Sequence, residues 1–83
     1  MSHLTGAQVR MARGHLKLST TQLAALAKVG RSTVVRIEDH DGVPPVTEGN
    51  LLLVQKALEA AGVEFIPENG GGAGVRLRKG EGL

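Results

Sequence analysis

Apolar and polar positions are spaced along this chain so as to mark four short helices. The mark is a polar cap with one apolar residue just before it and another five positions after that. In this arrangement a side chain satisfies the free amides of a first turn while two apolar residues staple the entry. Leu4-Thr5 with Gln8 and Val9 carries it, Thr5 and Gln8 being placed to cap each other's backbone amides. Leu18-Ser19 with Gln22 and Leu23 repeats it, Val29-Gly30 with Val34 keeps the staple but has glycine at the cap, and Val46-Thr47 with Leu51 supplies the fourth start. Breakers and the limits of the apolar spacing predict helices near 5–14, 19–27, 30–39 and 47–61. Only Lys28 and Val29 separate the middle two, enough for a tight turn between crossed helices. Asp41-Gly42-Val43-Pro44-Pro45 must break the chain, because Pro45 bars Pro44 from the helical region and neither proline can donate a backbone hydrogen bond. Gly62 ends the fourth helix.

After Gly62 the period changes. Val63-Glu64-Phe65-Ile66-Pro67 and Val75-Arg76-Leu77-Arg78-Lys79 read as the strands of a hairpin around a glycine-rich connection, with Val75 and Leu77 on one face and Arg76 and Arg78 on the other, where one of them can face Glu64. The expected fold is therefore mainly α: a four-helix domain over residues 1–62, followed over residues 63–83 by a short C-terminal β-hairpin and a frayed tail from Gly80 to Leu83. The stretch Gly70-Gly71-Gly72-Ala73-Gly74 lacks the Gly-Lys-Ser/Thr ending of a phosphate loop and no helix follows it, so it reads as a flexible connection.

Composition narrows the function. At 83 residues a chain buries only about 60% of its unfolded surface, leaving little room for a core and a deep substrate pocket together. There is no cysteine, hence no disulfide framework, thiolate zinc site or thiol nucleophile. The longest apolar run, Leu23 to Ala27, falls far short of the roughly 20 residues that span a bilayer. The opening residues show neither a basic n-region nor an apolar h-region. A soluble, cytoplasmic protein is expected. Charge adds more, because the net +2 conceals a polarised chain. Residues 1–37 hold Arg10, Arg13, Lys17, Lys28, Arg31 and Arg36 and no acid, whereas residues 38–83 hold eight acids against four bases. A basic half suggests an anionic partner docking on one face; a merely solvated basic surface would have the same composition.

The two short helices carry the sharpest signal. Leu23, Ala24 and Ala27 on one, with Val29, Val34 and Ile37 on or beside the other, are placed to face each other, and steeply crossing helices need a small side chain such as Ala24 where their backbones approach. Arg31, Ser32, Val35 and Arg36 then project together from the opposite face. Arginine can pair with guanine O6 and N7, serine with either base edge, and valine with a thymine methyl, so these four form a candidate base-reading surface.

From Thr5 to Leu58, and most closely over Leu23-Ala24-Ala25-Leu26-Ala27-Lys28-Val29-Gly30-Arg31-Ser32-Thr33-Val34-Val35-Arg36-Ile37-Glu38, the sequence resembles the helix-turn-helix domain of the lambdoid phage repressors and Cro and of the wider bacterial xenobiotic-response-element regulators. The resemblance implies that helix 19–27 lies across the major groove and helix 30–39 enters it. Arg31, Ser32 and Arg36 fall on the family's base-reading positions. Ser19 and Thr20 fall where the family meets phosphate through a helix N-terminus, a site prepared by free amides and the helix dipole; Lys17 and Gly30 complete the expected phosphate set. Arg13 and Glu38 match a family ion pair joining the first helix to the recognition helix, and are read as structural. The family often has glycine where Lys28 sits, which puts Lys28 in a strained left-handed conformation, and serine or threonine where Gly30 sits.

Other candidates have plainer explanations. His3, His15 and His40 are dispersed and read as surface histidines rather than metal ligands. Asp39 and Asp41, beside Gly42, read as turn residues. With no catalytic constellation and no cofactor implied, an enzyme is not expected. The leading expectation is a sequence-specific double-stranded DNA binder, a transcriptional repressor acting as a homodimer because one recognition helix reads too few base pairs, whereas two reach half-sites about 34 Å apart. Leu52, Leu53, Phe65 and Leu77 form the expected dimer surface. The alternative is an antitoxin that neutralises a cognate toxin protein through helix 47–61 and the hairpin while regulating its own operon.

Overall fold

The computed structural model describes residues 4–78. Four helices run in chain order, α1 (Gly6–Leu16), α2 (Thr20–Ala27), α3 (Arg31–Glu38) and α4 (Glu48–Ala60), followed by strands β1 (Val63–Ile66) and β2 (Gly74–Leu77). The mainly α fold with a C-terminal hairpin is the one the hydrophobic pattern predicts. The tail from Gly80 and the N-terminal His3 lie outside the described residues.

The starts follow the caps. Thr5 accepts the Gln8 amide (3.2 Å) and Gln8 Oε1 accepts the Thr5 amide (2.9 Å); Ser19 and Gln22 exchange the same pair at 3.0 and 2.8 Å. Thr47 accepts the Asn50 amide at 3.2 Å, and Gly30 caps α3 with backbone alone. The ends obey a rule that the spacing did not reveal. Gly14 does not stop α1, which continues to Leu16 and closes at Lys17, whose φ of 58° is left-handed. The Leu18 amide then reaches back to the Arg13 carbonyl (3.1 Å), the closure of a Schellman turn. Helix α2 closes identically, with Lys28 at φ 61° and the Val29 amide on the Ala24 carbonyl at 3.1 Å. Two lysines thus occupy positions that favour glycine, as expected at Lys28 and unforeseen at Lys17.

Leu4, Val9, Ala12, Leu23, Ala24, Ala27, Val34, Ile37, Leu51, Val54, Leu58 and Val63 make a single buried cluster, to which every helix and β1 contribute. The hairpin is antiparallel, with Val63 opposite Leu77, Glu64 opposite Arg76, Phe65 opposite Val75 and Ile66 opposite Gly74. The second strand therefore starts one residue earlier than expected and ends at Leu77, and Pro67, which cannot donate to a ladder, closes the first. Phe65 and Val75 pack on the core, while Glu64 and Arg76 form an ion pair on the outer face.

A two-stranded hairpin is marginal alone in water, and here a buried glutamine fastens it to α1. Gln8 Nε2 donates to the carbonyls of Ile66 (3.0 Å) and Gly74 (2.9 Å), the last paired residues before the connection. With its Oε1 on the Thr5 amide, this side chain is satisfied although almost wholly buried. Gly6 makes the other close approach: a Cβ there would lie 1.8 Å from the His40 carbonyl oxygen and 2.1 Å from that of Ile37.

Two predictions follow from these contacts. Gly6→Ala forces α1 away from the end of α3 and costs about 3 kcal/mol, whereas Gly14→Ala, with open space around its Cβ, gains about 1 kcal/mol from helix propensity; denaturant unfolding of the two variants measures both. Gln8→Ala takes the Nε2 donor from two part-buried carbonyls, costs about 1–3 kcal/mol, and speeds amide exchange in β1 and β2 more than in α2.

Candidate nucleic-acid interface

The candidate interface lies on the junction of α2 and α3. Leu23, Ala24 and Ala27 from α2 meet Val34 and Ile37 from α3 in the core, all at most 5% exposed. The small Ala24 lets the two backbones approach across the turn at Lys28 and Val29. With Val34 and Ile37 inward, the opposite side of α3 is fixed. At about 100° per residue, Arg31, Val35, Ser32 and Arg36 span an arc of roughly 140°, and all four are exposed. Within that arc Val35 and Ser32 lie between the two arginines. Every residue assigned to base reading is therefore presented to solvent by one short, rigid helix.

The other end of α3 is locked to α1. Arg13 grips the Glu38 carboxylate with both arms of its guanidinium, Nε to Oε2 at 2.6 Å and a terminal nitrogen to Oε1 at 2.8 Å, and donates to the Leu18 carbonyl at 2.9 Å. The Glu38 side chain is only 9% exposed. Hydrogen bonding to Glu38 raises the Arg13 pKa above its ordinary value, with burial opposing. A raised base stabilises the fold at all pH below its unfolded pKa, so this contribution is lost only in strong alkali. Arg10 adds a second clasp, donating to the Glu38 backbone carbonyl and to Asp41.

These clasps change the account of the basic half. Arg10 and Arg13 are occupied in joining α1 to the end of α3, so the six bases do not form one free face. Lys17, Lys28, Arg31 and Arg36 are exposed. Both lysines sit at helix ends, at the left-handed turns that flank α2. Among the expected phosphate contacts, Ser19 is exposed and its oxygen caps α2, Thr20 is half-buried, and Gly30 is exposed at the start of α3.

The expected dimer residues divide. Leu52 (48%), Leu53 (45%) and Leu77 (54%) are exposed, whereas Phe65 is half-buried against the protein's own core and is not available as they are. The hairpin likewise packs on its own domain through Phe65, Val75 and Gln8.

Elsewhere the chemistry is sparse. A cavity of about 140 Å³ opens between α1 and the hairpin, lined by Ala12, His15, Val63, Val75, Arg76 and Leu77, none of them from α2 or α3. His15 and His40 are exposed, and His40 Nδ1 lies 3.1 Å from the Arg36 carbonyl. Among the described residues no three His, Cys, Asp or Glu side chains gather where they could hold a metal, and no helix is long and apolar enough to cross a membrane. In the glycine-rich connection the amides of Gly70 and Gly72 are taken by Glu68 and that of Gly71 by Asn69. Compared with known proteins, the chain matches no family model and no curated relative.

Lys28→Gly removes a side chain from a left-handed turn. Relief of strain exceeds the added freedom of the unfolded chain, so stability rises by about 0.5–1 kcal/mol, read as a higher denaturant midpoint at unchanged slope.

Proposed function

We propose that this protein is a sequence-specific double-stranded DNA binder that represses transcription as a homodimer, with α3 in the major groove and α2 across it. One observation carries the reading. The residues able to read base edges, Arg31, Ser32, Val35 and Arg36, occupy one exposed arc of a helix whose opposite side is buried and whose ends are both anchored. Such a helix can enter a groove without unfolding anything or exposing the core. Lys17 and Lys28 at the ends of α1 and α2, and the N-terminus of α2 at Ser19 and Thr20, then meet the phosphates that flank the groove. The role needs no cofactor and no catalytic step, and its setting is the cytoplasm.

The homodimer rests on Leu52, Leu53 and Leu77, large apolar side chains about half exposed in the single chain. The same exposure suits a cognate toxin as partner. Sedimentation of the purified chain separates the two: self-association that Leu52→Lys and Leu53→Lys abolish supports the homodimer, whereas a stable monomer that co-purifies with a small protein from its own operon supports the antitoxin.

DNA binding is tested by selecting bound sequences from a random duplex library, which is expected to return a two-fold symmetric motif. On that site Arg31→Ala and Arg36→Ala each cost about 1–3 kcal/mol with little loss on random DNA; equal losses on every sequence would demote both to phosphate contacts. Thr20→Ala weakens all DNAs alike. Log affinity falls linearly with log salt, by about 0.9 per phosphate neutralised, and a flat response would contradict the reading.

A further inference from the structure

We propose that Asn69 is a site of spontaneous covalent modification, at which the chain converts its own asparagine to aspartyl and isoaspartyl forms through a cyclic imide. The inference is independent of DNA binding and rests on the connection between β1 and β2. The sequence contains two asparagines, Asn50 and Asn69, and the fold treats them oppositely. Asn50 lies in the first turn of α4. The next amide nitrogen, that of Leu51, is committed to the Thr47 carbonyl at 3.0 Å and carries a bulky side chain. Asn69 is exposed and precedes Gly70, which has a φ of 99° and open space where a Cβ would stand. No side chain therefore hinders approach of the Gly70 nitrogen to the Asn69 side-chain carbon, and the glycine can change its backbone angles freely.

Two contacts bear on the reaction. The Gly71 amide donates to Asn69 Oδ1 at 3.4 Å, which polarises the carbonyl and places a donor where negative charge develops on attack. The Gly70 amide donates to Glu68 Oε2 at 3.0 Å in an exposed contact, where water competes for the same proton. In the reaction the Gly70 nitrogen loses its proton to solvent and bonds to Asn69 Cγ, and the tetrahedral adduct expels the side-chain nitrogen, which leaves as ammonia after taking a proton from water. Water then opens the imide at either carbonyl. Attack at Cγ gives aspartate; attack at the backbone carbonyl gives isoaspartate, in which the main chain gains one methylene. No oxidant or reductant is required. Either product lowers the formal net charge of +2 by one.

The fold tolerates the change, because the connection is closed at its base by the Ile66–Gly74 pairing and by Gln8, which bonds both residues. The extra methylene is taken up between those fixed points.

The test is to incubate the full chain at mildly alkaline pH, digest it, and follow each asparagine peptide by mass. The peptide containing Asn69 is expected to gain the mass of an amide-to-acid conversion, faster as pH rises, while the Asn50 peptide stays unchanged. Gly70→Ala slows the gain several-fold and Asn69→Gln, which would need a larger ring, abolishes it over the same period. Asn69→Asp melts with the wild type. No gain at Asn69, or an equal gain at Asn50, overturns the proposal; an Asn69→Asp protein that has lost cooperative unfolding overturns the tolerance assigned to the connection.

Discussion

The outward face of α3 depends on how the inward end of that helix is held. Eight residues make little more than two turns, and a helix so short has almost no stability of its own. Its position comes from its two ends. At the start, Lys28 and Val29 turn the chain tightly over Ala24; at the finish, the Ile37 and His40 carbonyls press against Gly6, and Arg13 and Arg10 clasp Glu38. Of these, close packing has the larger claim on stability. A nearly buried ion pair costs desolvation that offsets most of its attraction, although removing one partner leaves the other uncompensated and costs about 3–5 kcal/mol. The Arg13–Glu38 pair therefore fixes where α3 sits more than how stable the domain is, while the absence of a side chain at Gly6 allows the two helices to meet at all.

This division also explains why a polarised sequence does not yield a uniformly basic surface. An arginine in the first helix lies near the end of α3, where backbone carbonyls accumulate partial negative charge. Arg10 answers that charge directly by donating to the Glu38 carbonyl. Within residues 1–37, the positive charge left facing solvent outside these clasps belongs to Lys17, Lys28, Arg31 and Arg36, at the ends of helices and on α3. Net charge by segment located the bases along the chain but could not separate those that hold the fold from those that face outward, because the separation depends on which acids the fold brings near.

Features determined within one turn were legible in the sequence. Helix starts at Thr5, Ser19 and Thr47 follow from side chains reaching amides three residues away, and all three caps are formed. The inward set of α2 and α3 follows from helical spacing, and the left-handed turn at Lys28 from a resemblance. What remained hidden depends on approach in space. Gly14 looks like a helix end and is not one, because the Schellman closure lies at Lys17 instead. Gly6 looks like any first-turn residue until the end of α3 is placed against it. Gln8 was legible as a cap, but its second pair of hydrogen bonds reaches residues 58 and 66 positions away, a separation no local pattern encodes. Phe65 was assigned outward because the hairpin's packing partner was unknown.

The hairpin shows how one satisfied amide can decide between two arrangements. Its strands are four residues each, too short to stand alone, so the apolar face must be covered by something. Phe65, Val75 and Val63 are covered by the helices of the same chain, and Gln8 sets the register of that docking by bonding both strands at once. Sliding the hairpin by one residue would bury Glu64 and Arg76 and leave a buried amide without acceptors, a double penalty that the apolar contacts of so small a sheet could not offset. Leu77, at the end of the inward face, is left uncovered. Any partner that meets the protein here thus finds an edge already fixed in place, not a loose strand to be folded on binding, and loses correspondingly little entropy in using it.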